Sequence, residues 1–396
     1  MNNFTAYIPT QLHFGQNSVN ELGKHAEKIG CHALLVYGCG SAFKNGSYFD
    51  TVDQLKQHNI KITECGGIYA NPTVECVSKA AQLGRENGVD MVVAIGGGSV
   101  IDAAKVIAIC VADECDPWTI MTRNHEPQKA VPILAILTLA ATGTEMNPAA
   151  VILNPYTKQK LGFRHNFMYP THSYLDPSYT LSVPTNYTAY GIVDLICHCL
   201  EAWFGEGDAT LSDRFTIAII QEALVYGPAL MNDLSNLDLR SKIMWAATNA
   251  LNNMTTYGRI SPDWGVHILA HNLSVLFDTA HGATLSIIYP AWLKVMRDRA
   301  HHRIAKLGES LFDTNDVDKT INAIENFFAS LGSPVRCQEA NIDSAYQQDI
   351  LDLMNKNEAG GLNYQISQAD RKKILDYAFS DSIIITGQNI KNINKG

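Results

Sequence analysis

The sequence predicts two domains of different class: an α/β half with a parallel sheet over residues 1–184, and an all-helical half over residues 185–396. Three observations predict it. Short β-branched runs alternate with amphipathic stretches before Pro184. Strand signals disappear between Thr188 and Asp298. A chain of 396 residues also exceeds what one hydrophobic core usually organises.

In the first half, Ala33–Tyr37 (ALLVY), Met91–Ile95 (MVVAI) and Val131–Leu137 (VPILAIL) read as buried strands, because they are continuously apolar over a strand's length. Val74–Asn87 between them has helical spacing and stops before Gly88. Strand and helix in alternation indicate a parallel sheet covered on both faces. Pro177 and Pro184 bracket the change of character, and the boundary is placed there. Beyond it, Ala189–Phe204, Ser212–Tyr226, Val317–Leu331, Ala345–Leu353 and Gln368–Phe379 carry helical patterns. The polar tail NIKNINKG is expected to be peripheral.

Composition excludes several classes. A formal net charge of −9 opposes a nucleic-acid or anionic-membrane partner. The start MNNFTAYIPTQLHFG lacks a basic region followed by an apolar one, and no stretch reaches the roughly 18–20 apolar residues of a membrane span. Nine cysteines without CxxC spacing suit a reducing cytosol, so a cytoplasmic location is expected. Cys197 and Cys199 read as core packing. Arg297, Arg299, His301, His302 and Arg303 read as a solvated helix face.

The run Gly96-Gly97-Gly98-Ser99-Val100-Ile101-Asp102 directly follows MVVAI. Glycines there permit positive φ and close approach of a ligand, and the helix Val100–Val111 presents free N–H groups and its positive dipole end. Ser99 is expected to cap that helix. GGGS between a strand and a helix favours a dinucleotide pyrophosphate over a plain tight turn. The earlier turn, Gly38-Cys39-Gly40-Ser41, has no Asp or Glu before Asp50. A carboxylate there would repel a 2′-phosphate, so its absence leaves room for NADP(H), with Ser41 and Lys44 as phosphate partners and NAD(H) as the alternative. Thr138 to Thr144 ends the third strand with small hydroxyl residues, at the edge where open α/β sheets bind ligands.

The second half concentrates metal-ligand chemistry. Asp194 and His198 are four apart on one helix face, His267 and His271 repeat the spacing, and His281 follows ten residues later. Carboxylate and imidazole suit a borderline divalent ion, Fe²⁺ or Zn²⁺. Burying Asp194 among Ile192, Val193, Leu195 and Ile196 would cost several kcal/mol without a compensating charge. Spacing leaves the choice among these five open. Glu201 is placed at the rim, and His125, His165 and His172 are read as ordinary loop residues without a partner at ligand spacing.

GGGSVIDAAK, LTLAATGTEMN, GIVDLICHCLE and VHILAHNLSVLFDTAHG together resemble the iron-containing (group III) alcohol dehydrogenases, nearest the butanol dehydrogenase and NADPH-dependent aldehyde reductase branch, from about Phe14 to Phe379. The resemblance implies a dehydroquinate synthase-like fold: an N-terminal dinucleotide-binding domain, an all-helical domain that binds the metal, and a site between them. It places the metal ligands on Asp194, His198, His267 and His281, and sets His271 beside the nicotinamide. It places cofactor contacts on Gly38, Ser41, Asn71, Gly97, Gly98, Ser99, Asp102, Thr138, Thr142, Asn147, Lys160, Tyr179 and Leu181. A homodimer is implied by the family alone. Two positions depart from the family pattern: Ala280 stands where many members have Pro, and Cys39 interrupts the first turn.

The function these features imply is hydride transfer between NADP(H) and a small alcohol or aldehyde, with a metal polarising the substrate oxygen and His271, an imidazole titrating near neutrality, moving the proton. Phe163, Trp264 and Tyr257 are candidate pocket walls for a small uncharged substrate. The rivals are a metal- and NAD-dependent polyol dehydrogenase, a dehydroquinate synthase-like lyase, and a non-catalytic metal-binding scaffold. The lyase would need several Lys and Arg near the metal, and these helices supply almost none.

Overall fold

The three apolar runs become the centre of a six-stranded parallel sheet. A computed structural model describes residues 1–380, so the tail NIKNINKG lies outside the described residues. The strands are β1 (Gln11–Phe14), β2 (His32–Gly38), β3 (Lys61–Ile68), β4 (Met91–Gly96), β5 (Ile133–Leu137), β6 (Ala149–Asn154), β7 (Gln159–Arg164) and β8 (His172–Leu175). The sheet order is β1-β8-β5-β4-β2-β3, and β6 pairs with β7 as a separate antiparallel hairpin. β4 and β5 are buried along their whole length. Their alternate residues enter different cores: Val92 and Ala94 pack on one face, Val93 and Ile95 on the other.

Sequence patterning missed β1, β3, β8 and the hairpin. β1 and β8 have four residues each, and β3 (KITECGGI) carries charged residues and two glycines on a half-exposed edge, so none shows the apolar run that marks a central strand. Val74–Asn87 is helical with the predicted bounds, capped by Thr73 and closed by Gly88 in the left-handed conformation.

The second half is helical. Its helices are Thr185–Trp203, Thr210–Asn232, Leu237–Ala250, Gly265–Phe277, His281–Met296, His301–Phe312, Val317–Ser330, Gln347–Lys356 and Gln368–Ala378. Thr185–Trp203 and His281–Met296 are apolar nearly all round and fill the middle of one core. A Cβ at Gly282 would fall 2.3 Å from Tyr190 O. Glycine therefore lets the His281–Met296 helix start in contact with the Thr185–Trp203 helix, which sets His281 beside Asp194. The basic cluster is only partly a solvated face. Arg297 and Arg299 make surface pairs with Asp318 and Asp370, but Arg303 stacks 3.8 Å from the Trp203 ring and bonds Asp213.

Candidate metal and cofactor site

Three helices bring one carboxylate and three imidazoles together. Asp194 and His198 stand one turn apart on Thr185–Trp203, His267 lies on Gly265–Phe277, and His281 is the first residue of its helix. Asp194 Oδ1 is 3.7 Å from His198 Nδ1, 3.8 Å from His267 Nε2 and 3.8 Å from His281 Nε2. These gaps are too long for hydrogen bonds. They are close to the roughly 3.4 Å ligand–ligand edge of a tetrahedron with 2.0–2.1 Å metal bonds. Asp194 Oδ1, His198 Nδ1 and His267 Nε2 are buried and have no hydrogen-bond partner. Orphaned buried polar atoms cost free energy that a divalent ion relieves. One ligand atom each of Asp194, His267 and His281 lies within 4.8 Å of the other two, and His198 joins them through its approach to Asp194. The donor set fits the metal.

Protonation states agree with that fit. Burial opposes charge on Asp194, but the facing imidazoles of His198 and His267 outweigh it and hold the carboxyl below its usual range. Burial pushes His198 down to about 4 and His281 well below the ordinary imidazole value, so both are neutral donors. His267 differs. Burial again lowers it, yet the carboxylates of Asp194 and Glu201 raise it to about 9, so a cation here replaces a proton.

Glu201 is not at the rim. It is 1% exposed, and its Oε1 accepts hydrogen bonds from His267 Nδ1 (2.7 Å) and from the His267 backbone N–H (3.0 Å). This fixes His267 with Nε2 facing Asp194. The signal was available, because Asp194, His198 and Glu201 occupy positions i, i+4 and i+7 of one helix face. Glu201→Gln is expected to weaken metal retention about 10–100-fold in competition with a chelator. Unchanged retention would show that the bond to His267 is dispensable.

The glycine turn is formed differently from its sequence expectation. None of Gly96, Gly97 and Gly98 has positive φ, and Gly97, not Ser99, is the N-cap of the Gly98–Asp113 helix. What glycine supplies is close approach: a Cβ at Gly98 would lie 2.6 Å from Thr142 Cγ2. The turn after β4 thus rests on the turn after β5, where the Thr138 N–H bonds Gly96 O at 3.0 Å. Gly98 and Ser99 keep the free N–H groups of a helix start. Gly38 ends the neighbouring β2, Ser41 opens the short Ser41–Lys44 helix, and Leu181 is exposed at the end of a 3₁₀ turn.

Three of the predicted cofactor residues direct their polar atoms inward. Asp102 accepts from Thr144 Oγ1 (2.5 Å) and the Val151 N–H (2.9 Å). Asn147 bonds Gly143 O and the Ala149 N–H. The Tyr179 hydroxyl bonds Asp50 at 2.8 Å. Behind Asp102 and Asn147 is Lys105, fully buried, whose Nζ reaches Thr144 Oγ1, Asn147 O and Ala149 O at 2.6–2.8 Å. The sequence reading passed over this lysine, although a charge inside VIDAAKVIAICV signals a partnered buried cation.

A polar bridge joins the two halves. Lys160 Nζ donates to Asn71 Oδ1 (2.7 Å), Asn71 Nδ2 donates to Asp278 Oδ1 (2.8 Å), and His271 Nδ1 lies 3.2 Å from Lys160 O. Lys160 is on β7, half-buried, and burial lowers it to about 8. Burial, followed by the charges of Lys160 and His267, holds His271 well below the ordinary value, so it does not titrate near neutrality as expected. Of the pocket candidates, Trp264 packs edge-on against His198 and His267. Phe163 is instead 4% exposed in the sheet-side core, and Tyr257 stacks on Phe4. His125 and His172 do have partners: His125 bonds Asp113 beside Cys115, and His172 stacks with His13 and His25.

The iron-containing alcohol dehydrogenase family model matches residues 9–177, and the model of that family's C-terminal part matches residues 188–379. The chain belongs to the iron-containing alcohol dehydrogenases. It is 35% identical to a probable NADH-dependent butanol dehydrogenase of Bacillus subtilis over 95% of this chain and 99% of that one. It is 34% identical to the NADPH-dependent aldehyde reductase YqhD of Escherichia coli, over 91% of this chain and 94% of the reductase. The crystal structure of an NADH-dependent butanol dehydrogenase from Thermotoga maritima superposes with a TM-score of 0.92 at 33% identity, covering 96% of this chain and 99% of that one. Within the iron-containing alcohol dehydrogenases the chain falls in the butanol dehydrogenase and aldehyde reductase branch. It is an NAD(P)-dependent alcohol dehydrogenase, an activity that takes a nicotinamide cofactor and a divalent metal. Among the described residues no helix is long and apolar enough to cross a membrane.

Proposed function

We propose that the chain interconverts small, uncharged aldehydes and alcohols with NADP(H), in the cleft where the glycine turns face the helical half. Asp194, His198, His267 and His281 hold the divalent ion. The observation that carries this reading is the convergence of three imidazole nitrogens on one orphaned, buried carboxylate oxygen. When bound, the ion supplies positive charge beside the substrate oxygen, and the nicotinamide supplies or takes the hydride.

The chain's own residues do the rest. The free N–H groups at Gly98 and Ser99 receive the pyrophosphate, with Gly97, Thr138 and Thr142 lining the approach. Asp102 and Asn147 hold that turn in shape, and Tyr179 and Leu181 lie beside the adenosine end. Gly38 and Ser41 leave room for a 2′-phosphate because their turn carries no Asp or Glu before Asp50, whose carboxylate is directed to the Tyr179 hydroxyl. The Lys160 carbonyl beside His271 Nδ1 makes that nitrogen the donor, which leaves Nε2 with a lone pair. His271 Nε2 therefore accepts a hydrogen bond from the alcohol hydroxyl and relays its proton toward solvent without holding it, because burial keeps the imidazole neutral. In the reverse direction a proton returns by the same path.

The test is oxidation of NADPH and NADH against an aldehyde panel, with protein stripped of metal and reloaded with Fe²⁺ or Zn²⁺. Activity restored by metal, with NADPH preferred, supports the reading. Metal-independent activity or a strong NADH preference overturns the corresponding half of it. His271→Ala is expected to keep its metal and lose rate about 10²–10⁴-fold; loss of metal would reassign His271 as a ligand.

Lys160 gives a pH signature. Its ammonium form dominates below about 8, where it can bind the cofactor ribose. That contribution is lost as pH rises through this value, so the cofactor KM should climb above pH 8 in wild type and stay flat in Lys160→Met. Parallel profiles would remove Lys160 from the cofactor site.

A further inference from the structure

Three histidines outside this machinery share one patch. His13 lies on the edge strand β1, His172 on its neighbour β8, and His25 on the short helix Leu22–Ala26. β1 and β8 are parallel with His13 opposite Tyr174 and Gln11 opposite His172. Strand alternation therefore puts His13, Tyr174 and His172 on one face, and the Leu22–Ala26 helix adds His25 above it. The His25 and His172 rings stack at 4.5 Å with planes 3° apart, and the His13 and His25 rings at 4.6 Å. His13 Nε2 is 3.1 Å from His172 Nδ1.

Hydrogen bonding leaves this cluster half used. Among the described residues, three of the six ring nitrogens have partners: His13 Nε2 and His172 Nδ1 have each other, and His25 Nδ1 has the Tyr174 hydroxyl at 2.8 Å. Tyr174 is fully buried, so it fixes the His25 ring as an outer partner fixes a metal-bound imidazole. One nitrogen from each ring lies within 4.8 Å of the other two. Three imidazoles from three chain segments form a donor set that discriminates against Mg²⁺ and Ca²⁺, which prefer oxygen, and favours Zn²⁺, Ni²⁺ or Cu²⁺.

We propose that His13, His25 and His172 form a second metal site, which takes a borderline divalent ion through three imidazoles with water completing the shell. It is separate from the Asp194 cluster and contains no carboxylate ligand. The rings are close to parallel, so binding turns them until their lone pairs converge. The distances between donor atoms close from at most 4.8 Å toward about 3.4 Å. A filled site ties the edge strand to β8 and to the helix that covers it.

The test is metal stoichiometry in the full chain, stripped and titrated with Ni²⁺. Wild type is expected to retain two ions per chain, and a His25→Asn, His172→Gln double variant one, with aldehyde reduction unchanged. One ion per wild-type chain, or two in the double variant, overturns the proposal. A second measurement avoids any risk that the variant fails to fold. In the wild-type chain, Ni²⁺ should protect His13, His25 and His172 from diethyl pyrocarbonate, read by peptide mass, and unchanged modification of all three overturns the site.

Discussion

Replacing His267 with alanine is expected to empty the Asp194 site, lowering bound metal by about one ion per chain relative to wild type, and to cut turnover at least about a thousandfold, the equivalent of some 4 kcal/mol. The effect is large because His267 joins two carboxylates. Its Nε2 faces Asp194 and its Nδ1 bonds Glu201, both almost fully buried. Alanine removes one ligand and leaves Glu201 only the backbone N–H of residue 267, and weakening the pairing of a buried charge adds to the loss. Metal analysis and steady-state kinetics on the same preparation check this. A variant that keeps both metal and turnover would remove His267 from the site, whereas loss of metal with activity retained would separate the ion from the chemistry.

The second large effect is on stability. Lys105→Met should lower the melting temperature of cofactor-free protein by about 5–10 °C, corresponding to roughly 3–5 kcal/mol. Lys105 Nζ is wrapped by Thr144, Asn147 and Ala149, and the same Thr144 hydroxyl donates to Asp102. Burial pulls the Lys105 ammonium down to about 8, with the charges of Asp102 and Glu145 acting the other way. Removing the lysine takes away the larger of the two cationic influences that favour ionised Asp102, leaving that of Lys160. Asp102→Asn combined with Lys105→Met should therefore recover part of the loss. Additive losses in the double variant would show that the two residues are not coupled.

How much was legible follows from which signals are local. The central strands were readable because β4 and β5 are apolar along their length, and Val74–Asn87 because a threonine cap and a glycine stop frame it. β3 and β8 were not, since an edge strand or a four-residue strand is defined by the neighbour it pairs with rather than by its own pattern. The same distinction runs through the site. Asp194 with His198 and His267 with His271 declare themselves by spacing, but spacing could not exclude His271 as a ligand, a choice that came from resemblance. In the structure His271 Nδ1 lies against the Lys160 carbonyl, on a hairpin the sequence did not reveal. The His13, His25 and His172 stack is still less local, with its members up to 159 residues apart.

The central claim is that one ion is held by Asp194, His198, His267 and His281, and an anomalous difference map from a metal-loaded crystal tests it most directly. The account predicts its strongest peak within about 2.0–2.3 Å of the Asp194 carboxylate and the three imidazoles. A strongest peak elsewhere, with those four side chains bare in the same crystal, would contradict it.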